Sequence, residues 1–146
     1  MAHAPGTMFE LHPAFPATSE AVGDLPLCHA RLQADARFAW LVLIPRVPGV
    51  RELDDLPVRD RAALVEEVVR AGAAVRAVGE ALGRPIEKLN IGALGNVTPQ
   101  LHVHIVGRRA DDPAWPGPVW GFGTPQAYRL DAQDTALAAA RTSLGL

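Results

Sequence analysis

Cysteine is nearly missing from this chain. Only Cys28 is present, so no disulfide can form within it and a reducing compartment fits. Charge of one sign is also scarce. Fourteen Lys and Arg face sixteen Asp and Glu, for a net charge of -2 and a pI near 6.2. That leaves no global basic field to gather nucleic acid or an anionic membrane surface. Small anions remain open as ligands, because His, Asn and backbone N–H groups bind phosphate locally without making a protein basic. No apolar run approaches the roughly 18 residues of a membrane span. The opening Met1-Ala2-His3-Ala4-Pro5-Gly6-Thr7 has neither a basic start nor an apolar run, so no secretory signal and a cytoplasmic protein are expected. No internal repeat is visible. What remains is 146 residues, 49% hydrophobic and 21% charged, enough to bury one core as a single domain over 1–146.

Residues 1–26, rich in Pro, Ala and Gly, read as an N-terminal arm with a short helical turn around Ser19 to Val22. From Leu27 to Ala34 apolar and polar residues alternate, with His29, Arg31 and Gln33 on the side expected to face water. The unbroken apolar run Ala39 to Ile44, closed by Pro45, suits a strand buried on both faces. From about Pro57 to Leu82, Leu64, Val65, Val68, Val69, Val75, Val78 and Leu82 recur near helical spacing, and Gly83 and Pro85 stop the pattern. The spacing predicts one long amphipathic helix packed on a sheet, with dimerisation as a second use for its apolar stripe. Lys88 to Leu94 reads as a further strand. Residues 110–146 read as a loop dense in Pro and Trp followed by a C-terminal helix from about Asp134 to Leu144.

The chemistry concentrates in Gln100-Leu101-His102-Val103-His104-Ile105-Val106-Gly107. Strict alternation sends Gln100, His102 and His104 to one face of a strand and Leu101, Val103 and Ile105 to the other, with the imidazoles roughly 7 Å apart along the backbone. Histidine titrates closest to neutrality, so two on one rigid element can divide nucleophilic and electrostatic roles. Two solvated histidines on an exposed face are the plain alternative. Gly95-Asn96 stands before this segment, either as a simple turn or as a loop whose N–H groups approach an oxyanion. Asn90 on the preceding strand carries both a donor and an acceptor. Trp115 and Trp120 read as anchors of the Pro-rich loop, with a wall against a nucleobase as the other reading. Arg108 and Arg109 read as solvated.

With these residues in view, the chain resembles the histidine triad superfamily, whose signature alternates three histidines with hydrophobic residues. The resemblance runs from about residue 27 to 109, through Trp40-Leu-Val-Leu-Ile-Pro-Arg46, the long helix, and Asn90 to Asn96. It is nearest to a bacterial branch with glutamine at the first triad position, often labelled as diadenosine tetraphosphate hydrolase. It implies an α+β fold with an antiparallel sheet of about five strands, one long helix packed on it and a C-terminal helix. It also implies a homodimer, no cofactor, and cleavage at the α-phosphorus of a nucleoside phosphoanhydride or phosphoramidate. By that resemblance His102 is the nucleophile, forming a nucleotidyl-histidine, and His104 contacts phosphate oxygens and helps protonate the leaving group. Gln100, Asn90, Gly95 and Asn96 supply donors, and Asp35 is the ribose-hydroxyl acceptor.

Glutamine cannot titrate, so a proton relay through position 100 is lost while hydrogen bonding is kept. Slower or differently selective catalysis is therefore expected. A nucleotide-binding sensor or partner protein with little catalysis is the alternative function. A metal site built on His102 and His104 ranks last, because no cysteine or well-placed carboxylate completes a ligand set.

Overall fold

The computed structural model describes residues 8–146. Five antiparallel strands form one sheet in the order β1-β2-β3-β5-β4. They are β1 (Ser19–Asp24), β2 (Cys28–Gln33), β3 (Ala39–Pro45), β4 (Lys88–Gly92) and β5 (Val103–Arg108). Helix α1 (Ala14–Thr18) precedes β1, α2 (Val58–Ala81) joins β3 to β4, and α3 (Leu130–Leu144) ends the chain. The α+β architecture expected from the sequence is the one found.

The central strand β3 is buried along its whole length, as an unbroken apolar run requires. Its alternate side chains feed two cores. Leu41 and Leu43 join Ala30, Leu32, Val103 and Ile105 in packing against Leu64, Ala71, Val75 and Val78 of α2 and Ala136 and Ala140 of α3. Trp40, Val42 and Ile44 face the other way, where Phe15, Phe38, Val106, Ala114 and Val119 close a second core. Small residues on α2 and α3 let those helices approach closely. On β5, Gly107 admits α2 and the chain after it at short range: a Cβ there would stand 2.6 Å from Ile86 Cδ1 and 2.9 Å from Val75 Cγ1.

Several expectations are corrected. Ser19 to Val22 is strand, not helical turn. The register slips between Ala21 and Gly23, and this bulge at Val22 breaks the two-residue alternation that would have revealed it. Arg31 is buried rather than solvated, donating from Nε to Ser19 Oγ at 2.7 Å and from Nη2 to the Ser19 carbonyl at 2.8 Å. His29 sits between Asp24 and Arg31 rather than in open water. Both follow from β1 covering β2. Within α2, Val65 and Val69 are exposed, and a charged residue, Glu67, turns inward instead. Its carboxylate accepts the N–H groups of Leu27 and Cys28 at 2.9 and 2.8 Å, pinning the helix to the start of β2. Helix α3 begins four residues earlier than the pattern indicates, at Leu130.

Candidate active site

The histidine strand is shorter than its alternation suggests. β5 starts at Val103, because the Leu101 N–H turns away to the Val50 carbonyl at 3.0 Å. The facing is nevertheless kept: Leu101, Val103 and Ile105 lie in the core against α2, while the rings of His102 and His104 meet edge to face with centroids 4.9 Å apart on the opposite side. Both rings line two adjoining cavities. One, about 320 Å³, is bounded by Leu94, Gly95, Asn96, Val97, Thr98 and Trp120. The other, about 260 Å³, is bounded by Ala14, Phe15, Thr18, Gln33 and Val42, and shares Val97 and Thr98. A third cavity, about 230 Å³, reaches His102 from Arg51, Glu52 and Asp54.

Hydrogen bonds assign the ring protons. Nδ1 of His102 lies 2.7 Å from the Gln100 backbone carbonyl. A carbonyl only accepts, so this nitrogen carries the proton and Nε2 of the neutral ring is left with its lone pair free. The partner ring is held in the opposite sense. The indole N–H of Trp40 donates to Nδ1 of His104 at 3.0 Å, which puts the proton of neutral His104 on Nε2. Burial, and secondly the neighbouring His102, push the pKa of His104 down to about 4, so this ring is neutral at pH 7. One histidine therefore offers a lone pair and the next an N–H.

Gly95 and Asn96 are brought to the histidines, and Gly95 has a φ of +64° that favours glycine. Asn90 lies on the histidine face of β4 but away from the rings, opposite Val106, and its Oδ1 accepts from Arg108 Nη1 at 2.7 Å. Asp35 lines neither histidine cavity. It is buried and clamped by Arg37 Nε and Nη2 at 2.9 and 2.8 Å, with the Gln126 N–H at 3.3 Å. Burial pushes its carboxyl up, but the Arg37 side chain and these N–H bonds outweigh that and hold it below the usual range. The Gln100 amide is turned to the N-terminal arm: Oε1 accepts the His12 N–H at 2.8 Å and Nε2 donates to the Glu10 carbonyl at 2.9 Å.

Two residues to which the sequence gives no site role, Gln33 and Trp40, stand at the histidines, and Trp120 joins them. Gln33 lines the cavity beside both histidines; its outward position on β2 was legible, its neighbours were not. Trp40 was read only as part of a buried run. Trp120 meets His104 and Trp40 edge to face, at 5.5 and 6.3 Å; it packs against the second core, as an anchor does, and also lines the histidine cavity. Trp115 instead sits over the Arg108 guanidinium at 5.7 Å. Arg108 itself is fully buried, contrary to expectation, and pairs with both oxygens of Asp112.

Residues 15–111 match the sequence model of the HIT domain. The chain belongs to the HIT family. Solved structures of HIT proteins resemble it over nearly their whole length. A histidine triad protein from Bradyrhizobium japonicum is 39% identical, with 94% of this chain and 99% of that one covered and a TM-score of 0.86. One from Sinorhizobium meliloti is 38% identical, covering 92% and 96%, with a TM-score of 0.84. One from Marinobacter aquaeolei is 37% identical, covering 95% and 98%, also at 0.84. No curated protein matches the chain. Within the matched residues the row of His102 and His104 is the candidate site. Among the described residues no cluster of three or more His, Cys, Asp or Glu is placed to hold a metal ion, and no helix is long and apolar enough to cross a membrane.

Proposed function

We propose that this HIT protein is a nucleotide hydrolase or nucleotidyl transferase that cleaves at the α-phosphorus of a nucleoside phosphoanhydride. The observation that carries the reading is the opposed protonation of the two rings, with a lone pair on His102 Nε2 and an N–H on His104 Nε2. In the first step His102 Nε2 attacks phosphorus and a P–N bond forms as the P–O bond to the leaving group breaks. In the second, water displaces histidine and releases the nucleoside monophosphate. His104 donates a hydrogen bond to phosphate oxygens where negative charge develops. Gly95 and Asn96 supply further donors from the cavity rim.

The balance of protons narrows the substrate. His104 is neutral and Gln100 cannot titrate, so neither gives up a proton easily at pH 7. A phosphate leaving group departs as an anion without one, whereas an amine needs it. This supports a dinucleoside polyphosphate, such as diadenosine tetraphosphate, over a phosphoramidate. Gln33, with no side-chain hydrogen bond among the described residues, takes the ribose-hydroxyl role in place of Asp35. The protein acts as a homodimer in the cytoplasm without a cofactor.

Rapid quenching during turnover of diadenosine tetraphosphate, followed by peptide mass spectrometry, should find an adenylyl adduct on His102. His102→Ala should lose at least about a thousandfold in turnover, as removal of a covalent nucleophile does. Full activity of that variant with no adduct in the wild type overturns the reading. AMP binding without turnover of any polyphosphate assigns the protein to the binding class instead.

A further inference from the structure

The two amide atoms of Gln100 are both engaged, and neither faces the cavity of Gly95 and Asn96. Oε1 accepts from the His12 N–H and Nε2 donates to the Glu10 carbonyl. A primary amide presents its acceptor and donor side by side in one plane, as a peptide group does. The C=O of residue 10 and the N–H of residue 12 take it up in the way neighbouring strands pair. The nitrogens of an imidazole diverge, so histidine at this position cannot make both bonds from one placement.

What this amide holds is a wall of the site. After His12, whose Nδ1 accepts the Ala14 N–H at 3.0 Å, and the capping Pro13 comes α1. Its Phe15 packs edge to face on His102 with centroids 4.9 Å apart. Ala14, Phe15 and Thr18 form one side of the cavity whose other side is Gln33, Val42 and both histidines. Residue 100 thus reaches the nucleophile by two routes: its backbone carbonyl fixes the His102 proton, and its side chain docks the segment that covers the ring.

We propose that Gln100 is a positioning residue that latches residues 10–15 over the histidine face, making the arm a wall of the nucleoside-binding half of the site. The glutamine at the first triad position serves substrate fit through this latch and does not act on the phosphates. This rests on the nucleotide reading given above for the ligand, though not for the docking.

The test uses the full chain, wild type and Gln100→Ala. Hydrogen exchange at the His12 amide reports docking without any ligand, and should quicken by about tenfold or more when its acceptor is removed. AMP affinity should fall on the order of tenfold. With diadenosine tetraphosphate, KM should rise by a similar factor while kcat changes less than about threefold and its pH profile keeps its shape. Gln100→Glu, which keeps the acceptor and loses the donor, should restore His12 protection in part. Unchanged His12 exchange in Gln100→Ala overturns the latch. A fall in kcat at unchanged KM, or a displaced pH profile, places Gln100 in the chemistry and overturns the positioning role. If wild type binds no nucleotide, the functional reading falls and takes the nucleoside wall with it, while the exchange result still decides the docking.

Discussion

The indole N–H of Trp40 is bonded to Nδ1 of His104 across adjacent strands, at 3.0 Å. The pairing of Val42 with His104 in the β3–β5 ladder places the two side chains on one face. That single bond selects which nitrogen of neutral His104 carries the proton, the one that meets the phosphate in the reaction proposed above. Trp40→Phe removes the donor but keeps an aromatic ring, so His104 should become a mixture of tautomers in its ring 15N shifts. Turnover should drop roughly tenfold or less, the worth of one hydrogen bond. An unaltered 15N spectrum in the variant removes Trp40 from this role.

The same burial makes His104 a source of pH-dependent stability. Unfolded, it titrates near its ordinary 6.5; folded, near 4. Between these values the unfolded chain holds the extra proton, so stability rises with pH across the window. The contribution is complete above about pH 6.5 and is lost as pH falls towards 4, amounting to about 2–3 kcal/mol at the lower end. Urea midpoints at pH 5 and pH 7 should therefore differ, and His104→Gln should shrink that difference. Equal pH dependence in wild type and variant counts against a depressed His104.

How much was readable in advance depended on whether the deciding contact was local. The all-apolar run of β3, the 24 residues of α2 and the alternation around His102 each announce themselves within one element, because periodicity is a local property. Strand β1 was hidden by its bulge. Arg108 read as solvated because its partner Asp112 lies in a loop with no periodic signal, and Asp35 read as a ligand because nothing nearby shows that Arg37 folds back onto it. The docking of Gln100 on Glu10 and His12 spans 88 to 90 positions, and no local pattern carries such a contact. The histidine row was legible, whereas the side chains that set its protonation were not.

Asp35 and Gln33 should separate cleanly. Asp35→Asn breaks a buried pair and should cost about 2–3 kcal/mol in urea unfolding, with little change in KM for a nucleotide substrate. Gln33→Ala should leave stability within about 0.5 kcal/mol and raise KM about three- to tenfold. Opposite outcomes would return the ribose contact to Asp35.

Arg108 and Asp112 form a two-pronged pair whose side chains are 1% and 6% exposed, and Asn90 satisfies a further guanidinium N–H. Asp112→Ala leaves that charge buried with one hydrogen-bonded neutral partner and the rings of Phe38 and Trp115, for an expected loss of about 3–5 kcal/mol. Replacing the pair together, Arg108→Met with Asp112→Leu, should recover much of it, since no charge is then stranded. A double variant as unstable as Asp112→Ala would show that shape, not the uncompensated charge, sets the cost.

The two edges of the sheet are treated differently, and this bears on assembly. β1 carries the bulge at Val22, which twists an edge away from further pairing, and α1 and α3 contact it. β4, at the other edge, pairs with β5 in unbroken register. Its Ile91 is 53% exposed. Val65 and Val69 are exposed too, and stand two turns and one turn before Gly72 on the same stripe of α2, where a Cβ on Gly72 would meet Leu89 of β4. An open strand edge beside an apolar stripe is a surface a second copy can cover by extending the sheet. Ile91→Lys puts charge on that edge and should convert a species of about twice 15.5 kDa in sedimentation equilibrium to one of about the chain mass, leaving the fold intact by circular dichroism. Wild type sedimenting as a monomer at tens of micromolar refutes the dimer, and a dimer untouched by the substitution moves its interface away from β4.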